Sequence, residues 1–438
     1  MNKPTFIIKT LGCKVNQYEE QVLRESLIRL GFRESGDSPA DIGIVNSCTV
    51  TSKADGKTRK LVHRLKKENP SIKIFVTGCC AVFDEDIKML KSMHDVYQVI
   101  ANKEKMKLPH VIDSAYGGSE SCTAVEEKVS GFYSHTRAFL KIQDGCDQTC
   151  SYCKVNLVRG PSRSKEKAKV IEEFLRLIES GYKEIVLTGI CLGSWKGADG
   201  EDLSDLLKEI DKLDGDFRIR LSSIEPDHID DHLIGSIASS KRVCRHLHIP
   251  LQSGSDKILK NMNRRYTSGQ FKDLINRLRS KMPLIGITMD VISGFPGESD
   301  DDFFQTLSFV REVKPSRLHV FGYSDRKGTG AFEMKDKVPS VKIKERVEQL
   351  IETGEKLQGE FCRKFVGKEV EVLVEKRSRD LILAGYTGEY VKVRFFGFSG
   401  KEGAIIKAKA SEIDRDSPCL LVLQKSTKSS SNTLTSVV

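Results

Sequence analysis

Six short runs rich in Ile, Val and Leu recur between residues 138 and 323: AFLKIQ, EIVLTG, RIRLSS, HLHIP, ITMDVIS and RLHVFGY. Amphipathic stretches such as KVIEEFLRLIESG and FKDLINRLRSKM separate them. Strands joined through helices pair in parallel, because a parallel neighbour is reached only by a long crossover. Six such βα units predict an open or partial (β/α)6 barrel, with its chemistry at the carboxyl ends of the strands.

The same rhythm runs through the first part of the chain. TFIIK, DIGIVN and IKIFVTG read as strands, bounded by Gly, Asp or Ser. Between them, NQYEEQVLRESLIRLGF places Tyr18, Val22, Leu23, Leu27 and Leu30 at helical spacing. This predicts an α/β domain with a parallel sheet over residues 1–115. The small, polar stretch from Asp113 to Gly131 reads as a linker, and the barrel unit is expected over 132–362. Beyond it EVEVLVEKR, LILAGYTGEYVKVRFFG, GAIIKAKASEID and PCLLVLQ are β-rich with Gly-containing turns. They predict a small all-β barrel of the OB-like kind over 364–426. Residues 427–438 read as a disordered tail.

Twelve cysteines are too sparse for a disulfide scaffold, and clustered thiols in a reducing compartment point to metal or redox chemistry. With no apolar run near the ~20 residues of a membrane helix, the expectation is a cytoplasmic protein with no membrane contact. DGCDQTCSYC follows a strand and groups Cys146, Cys150 and Cys153. Three thiols in this loop suit three irons of a cubic 4Fe–4S cluster and leave the fourth iron open for a substrate or cofactor. A structural zinc site would need a fourth ligand, for which His135 and Cys191 are the candidates. Cys13, Cys48 and Cys79 each follow one of the first three strands, so their loops converge where open α/β sheets bind ligands. Cys80 stands beside Cys79, and spacing does not choose between them.

The three-cysteine loop resembles that of the radical S-adenosylmethionine superfamily. The resemblance implies that Cys146, Cys150 and Cys153 hold the cluster and that S-adenosylmethionine chelates its open iron. It also implies cofactor contacts at strand ends, where VLTGICLG supplies Thr188 and Gly189, and RLSSIEP supplies Ser223 and Glu225. HIPLQSGSD supplies His248, Gln252 and Ser253, and GFPGESDDDF supplies Gly294, Pro296 and Gly297 as an adenine-lining turn. As metal ligands, the His246/His248 pair and Trp195 read as packing groups instead.

TLGCKVNQYE, VNSCTVT and VTGCCA, followed by that loop, resemble the methylthiotransferase family of radical S-adenosylmethionine enzymes, over about Phe6 to Gln424. The family implies an auxiliary 4Fe–4S cluster on Cys13, Cys48 and Cys79, hence two 4Fe–4S clusters in all. It implies a last domain of the TRAM kind that binds RNA, and replacement of a carbon–hydrogen bond by a methylthio group. Cys80, Cys122, Cys191, Cys244, Cys362 and Cys419 match no ligand motif and read as structural. The stretch Cys13 to Glu19 resembles the branch acting on N6-threonylcarbamoyladenosine 37 in the tRNA anticodon loop. The isopentenyladenosine branch reads Gln-Met-Asn after that cysteine, and the ribosomal-protein branch Pro-Lys-Asn. After Cys153, Lys-Val-Asn-Leu is more polar than the family's usual run, and Cys191 stands where a polar residue is common.

A net charge of +10 agrees with a polyanionic partner. Lys57, Lys60, Arg64 and Lys67 share one helical face, and Arg159, Arg163 and Lys165 follow the three-cysteine loop; these are the candidate phosphate contacts. Arg394, Phe395 and Phe396 suit base stacking, or a barrel core. A protein reductant such as flavodoxin or ferredoxin is the expected electron source. The competing readings are methylthiolation of isopentenyladenosine or of a ribosomal-protein aspartate, and an iron–sulfur redox sensor that binds RNA without turnover.

Overall fold

The computed structural model describes residues 3–36, 39–48, 52–118, 124–132, 135–377, 383–396, 402–414 and 420–424. The expected tail, Cys122 and Cys419 lie outside them. Strands β1 (Thr5–Thr10), β2 (Arg33–Glu34), β3 (Ile42–Ser47), β4 (Lys73–Gly78) and β5 (Gln98–Val99) form a parallel sheet in the order β2-β1-β3-β4-β5. Helix α1 (Lys14–Arg29) crosses from β1, and α2 (Ser52–Glu68) crosses from β3 to β4. Central β3 is buried along its whole length, as an Ile/Val-rich parallel strand covered on both faces should be.

Strand β6 (Ala138–Lys141) opens the next unit, followed by the short antiparallel pair β7 (Gln143–Asp144) and β8 (Arg163–Ser164). Then come β9 (Glu184–Thr188), β10 (Arg218–Leu221), β11 (His246–His248), β12 (Gly286–Ser293) and β13 (Arg317–Gly322). The parallel sheets β10-β9-β6 and β11-β12-β13 are joined by bridges Ile219↔Val243 and Ser223↔His248. The result is one row of six parallel strands, each at a run the sequence marks. Along these strands, alternation by two puts Ile185, Leu187, Ile219, Leu247, Ile287 and Met289 into the core. The intervening Arg218, Arg220, His246, His248, Thr288, Asp290, Arg317 and His319 take the other face, which lines the lumen.

The third unit is a closed five-stranded barrel of β14 (Glu369–Arg377), β15 (Leu383–Thr387), β16 (Lys392–Phe396), β17 (Ile405–Ile413) and β18 (Leu420–Gln424). Its β15–β16 turn plugs the amino-terminal end of the lumen. Arg220 donates to the carbonyls of Thr387 and Gly388 at 3.0 Å each, and Arg218 to that of Tyr386 at 3.0 Å. Glu184, fully buried, ties together Arg137, Arg218 and Arg220. Tyr390 stacks on His246 with ring centroids 4.7 Å apart.

One expectation is corrected, and one pair of alternatives is decided. Asp113–Gly131 is not a plain linker: Asp113 is buried within the helix Leu108–Ala115 and paired with Lys3, and Val129 is buried in the barrel core. Of the two readings offered for the Arg394–Phe396 stretch, the barrel core holds for Phe395, and Arg394 pairs with Asp414 at 2.8 Å; the Phe396 side chain lies outside the described residues. Among the described residues no helix is long and apolar enough to cross a membrane.

Candidate active site and its two thiol groups

The loop after β6 is held by Gln143. Its amide donates to the carbonyls of Asp144 and Gly145 at 3.0 and 2.8 Å, and its oxygen accepts from Cys191 N–H at 2.8 Å. A Cβ on Gly189 would sit 2.8 Å from that same oxygen, so Gly189 admits Gln143. Each loop sulfur then accepts one N–H. Gln148 donates to Cys146 and Val155 to Cys153, both at 3.4 Å, and Arg264 Nη1 donates to Cys150 at 3.2 Å. Donors aimed at the sulfurs, with three half-buried thiols within electrostatic reach of one another, fit iron–sulfur ligation. A hydrogen bond from Cys191 lowers the Cys146 thiol below its ordinary value against the opposing effect of burial. Burial pushes Cys153 up to about 12.

Beside Cys153 lies a cavity of about 220 Å³ lined by Tyr152, Val158, Gln252, Asp290 and Ile292 among others. Gln252 is left-handed at φ 67°, and its buried Oε1 has no partner among the described residues. Strain together with an orphaned acceptor aimed at a cavity marks a ligand contact. His248 is fixed between Thr288 Oγ1 at 2.9 Å and Asp290 Oδ2 at 3.1 Å, which orients the carboxylate on the cavity wall. Glu225 pairs with Arg264 beside Cys150. Ser223 bridges to His248, and Thr188 is buried at the end of β9, where its carbonyl accepts from Ile142 N–H.

Ser253 departs from expectation: it is fully buried and bonds Thr306 Oγ1 at 3.1 Å, which anchors a helix instead of facing the cavity. Gly294, Pro296 and Gly297 do not line that cavity either. Gly294 N–H donates to Glu298 at 2.7 Å and Gly297 N–H to the Asp336 carbonyl at 2.7 Å, and a Cβ on Gly294 would strike Ile343.

In the first sheet, Cys13, Cys48 and Cys79 leave β1, β3 and β4 at their carboxyl ends. Two glycines permit the convergence. A Cβ on Gly12 would lie 2.9 Å from Cys48 Cβ, and one on Gly78, at φ 102°, would lie 2.4 Å from Ser47 O. The Cys79 thiol is raised by burial and lies within electrostatic reach of Cys13, Arg159 and Lys105. Cys80 turns the other way, into the cluster with Val45, Val62 and Val76, where its sulfur bonds Ser47 Oγ.

The two thiol groups are coupled through a buried ion network. Arg159 closes the helix Val155–Arg159 just after Cys153, while Asn16 and Glu19 lie one turn into α1 after Cys13. Arg159 Nη1 donates to Glu19 Oε1 at 2.7 Å and to Asp144 Oδ1 at 3.1 Å, and Nη2 donates to Asn16 Oδ1. Lys105 reaches Glu19 Oε2 at 2.6 Å. Burial alone would raise the Glu19 pKa, but Arg159, Lys105 and Lys141 outweigh it and hold the carboxylate well below its usual range. Arg159 is therefore not a phosphate contact; at 6% exposure it is an internal clasp. Lys165 is likewise engaged, with Glu173 at 2.6 Å.

Arg163 is exposed on the rim of a cleft of about 490 Å³, whose walls include Val82, Lys103 and Leu157. On α2, Lys57, Lys60, Arg64 and Lys67 are all exposed while Val62 and Leu65 are buried. Trp195 is buried, its indole donating to Lys165 O at 2.9 Å. Sequence reading missed Arg264, Gln143 and the meeting of Cys191 with Cys146. Arg264 sits in a polar loop with no periodicity, and the other contacts join residues far apart in the chain.

Residues 140–310 match the family model of the Radical SAM superfamily, and residues 5–101 that of the uncharacterized protein family UPF0004. The chain is 41% identical to the threonylcarbamoyladenosine tRNA methylthiotransferase MtaB of Thermotoga maritima, over 90% of this chain and 92% of the relative. It is 37% identical to the MtaB of Bacillus subtilis, over 92% and 93%. It is also 34% identical to the tRNA-2-methylthio-N(6)-dimethylallyladenosine synthase of Carboxydothermus hydrogenoformans, over 94% and 98%. The fold is similar to that of the radical S-adenosylmethionine methyltransferase TsrM from Kitasatospora setae, with TM-score 0.54 and 13% identity over 75% of this chain and 77% of that one.

Proposed function

The chain belongs to the radical S-adenosylmethionine tRNA methylthiotransferases, and from that premise we propose that it converts N6-threonylcarbamoyladenosine at position 37 of tRNA to its 2-methylthio derivative. The observation that carries this reading is the Arg159–Glu19 clasp, which holds the loop of Cys146, Cys150 and Cys153 against the helix that starts beside Cys13. A single-cluster enzyme has no use for a second thiol group held in register with the first.

Cys146, Cys150 and Cys153 would hold the radical cluster, and Cys13, Cys48 and Cys79 the auxiliary one. When bound, the clusters and S-adenosylmethionine supply one-electron cleavage chemistry, the methyl group and the sulfur. The chain's own residues do the rest. Gln252, Asp290 and the Arg264–Glu225 pair line or brace the place of S-adenosylmethionine, with Thr188, Gly189, Ser223 and His248 shaping its floor. The apolar walls, buried Val158 with partly buried Tyr152 and Ile292, keep water from a reactive centre.

Lys57, Lys60, Arg64, Lys67 and Arg163 are the phosphate contacts in this reading, and the small carboxyl-terminal barrel is the TRAM-type RNA module. The protein would work in the cytoplasm, reduced by a flavodoxin- or ferredoxin-like partner. Mass spectrometry of tRNA nucleosides from cells with and without the protein tests the assignment. The expected result is loss of the 2-methylthio form with accumulation of N6-threonylcarbamoyladenosine. An unchanged profile, or a change confined to the dimethylallyl nucleoside, would overturn it.

A further inference from the structure

The lumen of the six-stranded row carries more positive than negative charge. At its amino-terminal end Glu184 and Glu375 are matched by Arg137, Arg218 and Arg220. Further up, Asp290 is taken by His248. Two cations remain. Arg317 stands on the lumen face of β13, paired in register with Thr288 and two residues from His319. Lys14, the first residue of α1, reaches into the same space from the neighbouring sheet. Its ammonium lies within electrostatic reach of Tyr390, Arg137 and Arg220, and both His246 and His319 feel its charge. Arg317 acts on His319 and Tyr386 in the same way. Both side chains are half-buried, and neither forms a hydrogen bond or ion pair with a described residue.

Half-buried cations facing one recess without a counter-ion call for an anionic ligand. Along β13, His319 separates Arg317 from the cavity at Cys153, since it pairs in register with the cavity residue Asp290, and Lys14 directly follows Cys13 in the chain. Resting on the proposed function, we infer that Lys14 and Arg317 bind the free carboxylate of the substrate's threonylcarbamoyl group and so set the enzyme's specificity for it. A dimethylallyl group carries no charge and would leave both cations desolvated and unpaired. That is an effective way to reject it, because discrimination is strongest where the wrong ligand strands a buried polar group. The neutral rings of His246 and His319, held low in pKa by burial, add polarity without further charge.

The test uses cluster-loaded protein and two tRNA anticodon stem-loops, one with the threonylcarbamoyl carboxylate and one with a carboxamide in its place. Wild type should favour the carboxylate about 10- to 100-fold in kcat/KM, as expected for losing a charge-assisted contact. Lys14→Met and Arg317→Gln should each lower that ratio about tenfold by slowing the carboxylate substrate alone, and Lys14→Arg should restore it. Iron content and the release of 5′-deoxyadenosine without RNA should stay at wild-type levels. Unaltered discrimination in both variants overturns the inference. Equal losses on both substrates, or loss of deoxyadenosine release, also overturn it, because the cations would then serve S-adenosylmethionine or the fold. Wild type acting on neither stem-loop would instead sink the functional reading itself. If Lys14→Met fails to fold, Arg317→Gln decides, since it lies far from the auxiliary thiols in the chain.

Discussion

Arg159 meets Glu19 in a buried two-point ion pair, Nη1 to Oε1 at 2.7 Å and Nη2 to Oε2 at 3.2 Å. The pair joins the strand row carrying one thiol group to the sheet carrying the other. Neither charge has water to fall back on, so the geometry holds only while both partners are present.

Glu19→Gln should therefore cost about 3–5 kcal/mol, the usual penalty for stranding buried partners, read as a fall in chemical-denaturation midpoint. The pH dependence follows from the depressed carboxylate. Its contribution is complete above the unfolded pKa of about 4.3 and is lost as pH falls through the lower folded value. Wild type should lose its advantage over the variant only in that acid window. An advantage that persists below it would contradict the assignment.

Cys79 and Cys80 make a clean pair. Cys79→Ser should bring iron down from about eight to about four per chain, because Cys79, unlike Cys80, lies within electrostatic reach of Cys13. Cys80→Ser should leave iron near eight, since that thiol points into an apolar cluster. Iron and sulfide analysis of the two proteins decides it, and the reverse pattern would exchange their roles.

Arg264 donates directly to Cys150 Sγ. A donor to a cluster sulfur favours the reduced, more negative state. Arg264→Met should make the cluster harder to reduce, shifting its midpoint to a more negative potential in an EPR-monitored titration and slowing deoxyadenosine release. An unshifted potential would make Arg264 a packing residue only.

Gln252 combines a left-handed backbone with an unpartnered buried oxygen. Asn tolerates that backbone but withdraws the amide by one methylene. Gln252→Asn should weaken S-adenosylmethionine binding about tenfold with little change in melting temperature. Equilibrium dialysis with the cluster-loaded protein measures the first and calorimetry the second; unaltered affinity would remove Gln252 from the cofactor site.

Glu184 holds three guanidiniums and, through them, the turn of the small barrel. Glu184→Gln should loosen that turn, so that limited proteolysis cuts within Thr387–Val391 faster than in wild type. Equal cleavage rates would show that the stacking of Tyr390 on His246 suffices to seat it.

Local features were legible in the linear chain because their causes are local. Strand runs such as RIRL and HLH alternate charged and apolar residues, and this period of two already separates a lumen face from a core face. Glycine before Cys13 and before Cys79 reports tight turns that only a residue without Cβ can make. The three-cysteine spacing names its own chemistry. The chain order could not tell Cys79 from Cys80, because adjacent residues differ only in which way the backbone turns them. It also offered Arg159 as a phosphate contact, since a basic residue after a loop looks the same whether its partner is RNA or a distant carboxylate. Packing α1 against β6 made that choice: it brought Glu19 to Arg159 and carried Lys14 into a lumen where, among the described residues, the other unpaired cation comes from β13. Residue types and periodicity determined the elements and the thiol chemistry. Which charges are matched, and which are left for a substrate, was decided only when sequence-distant strands closed around one space.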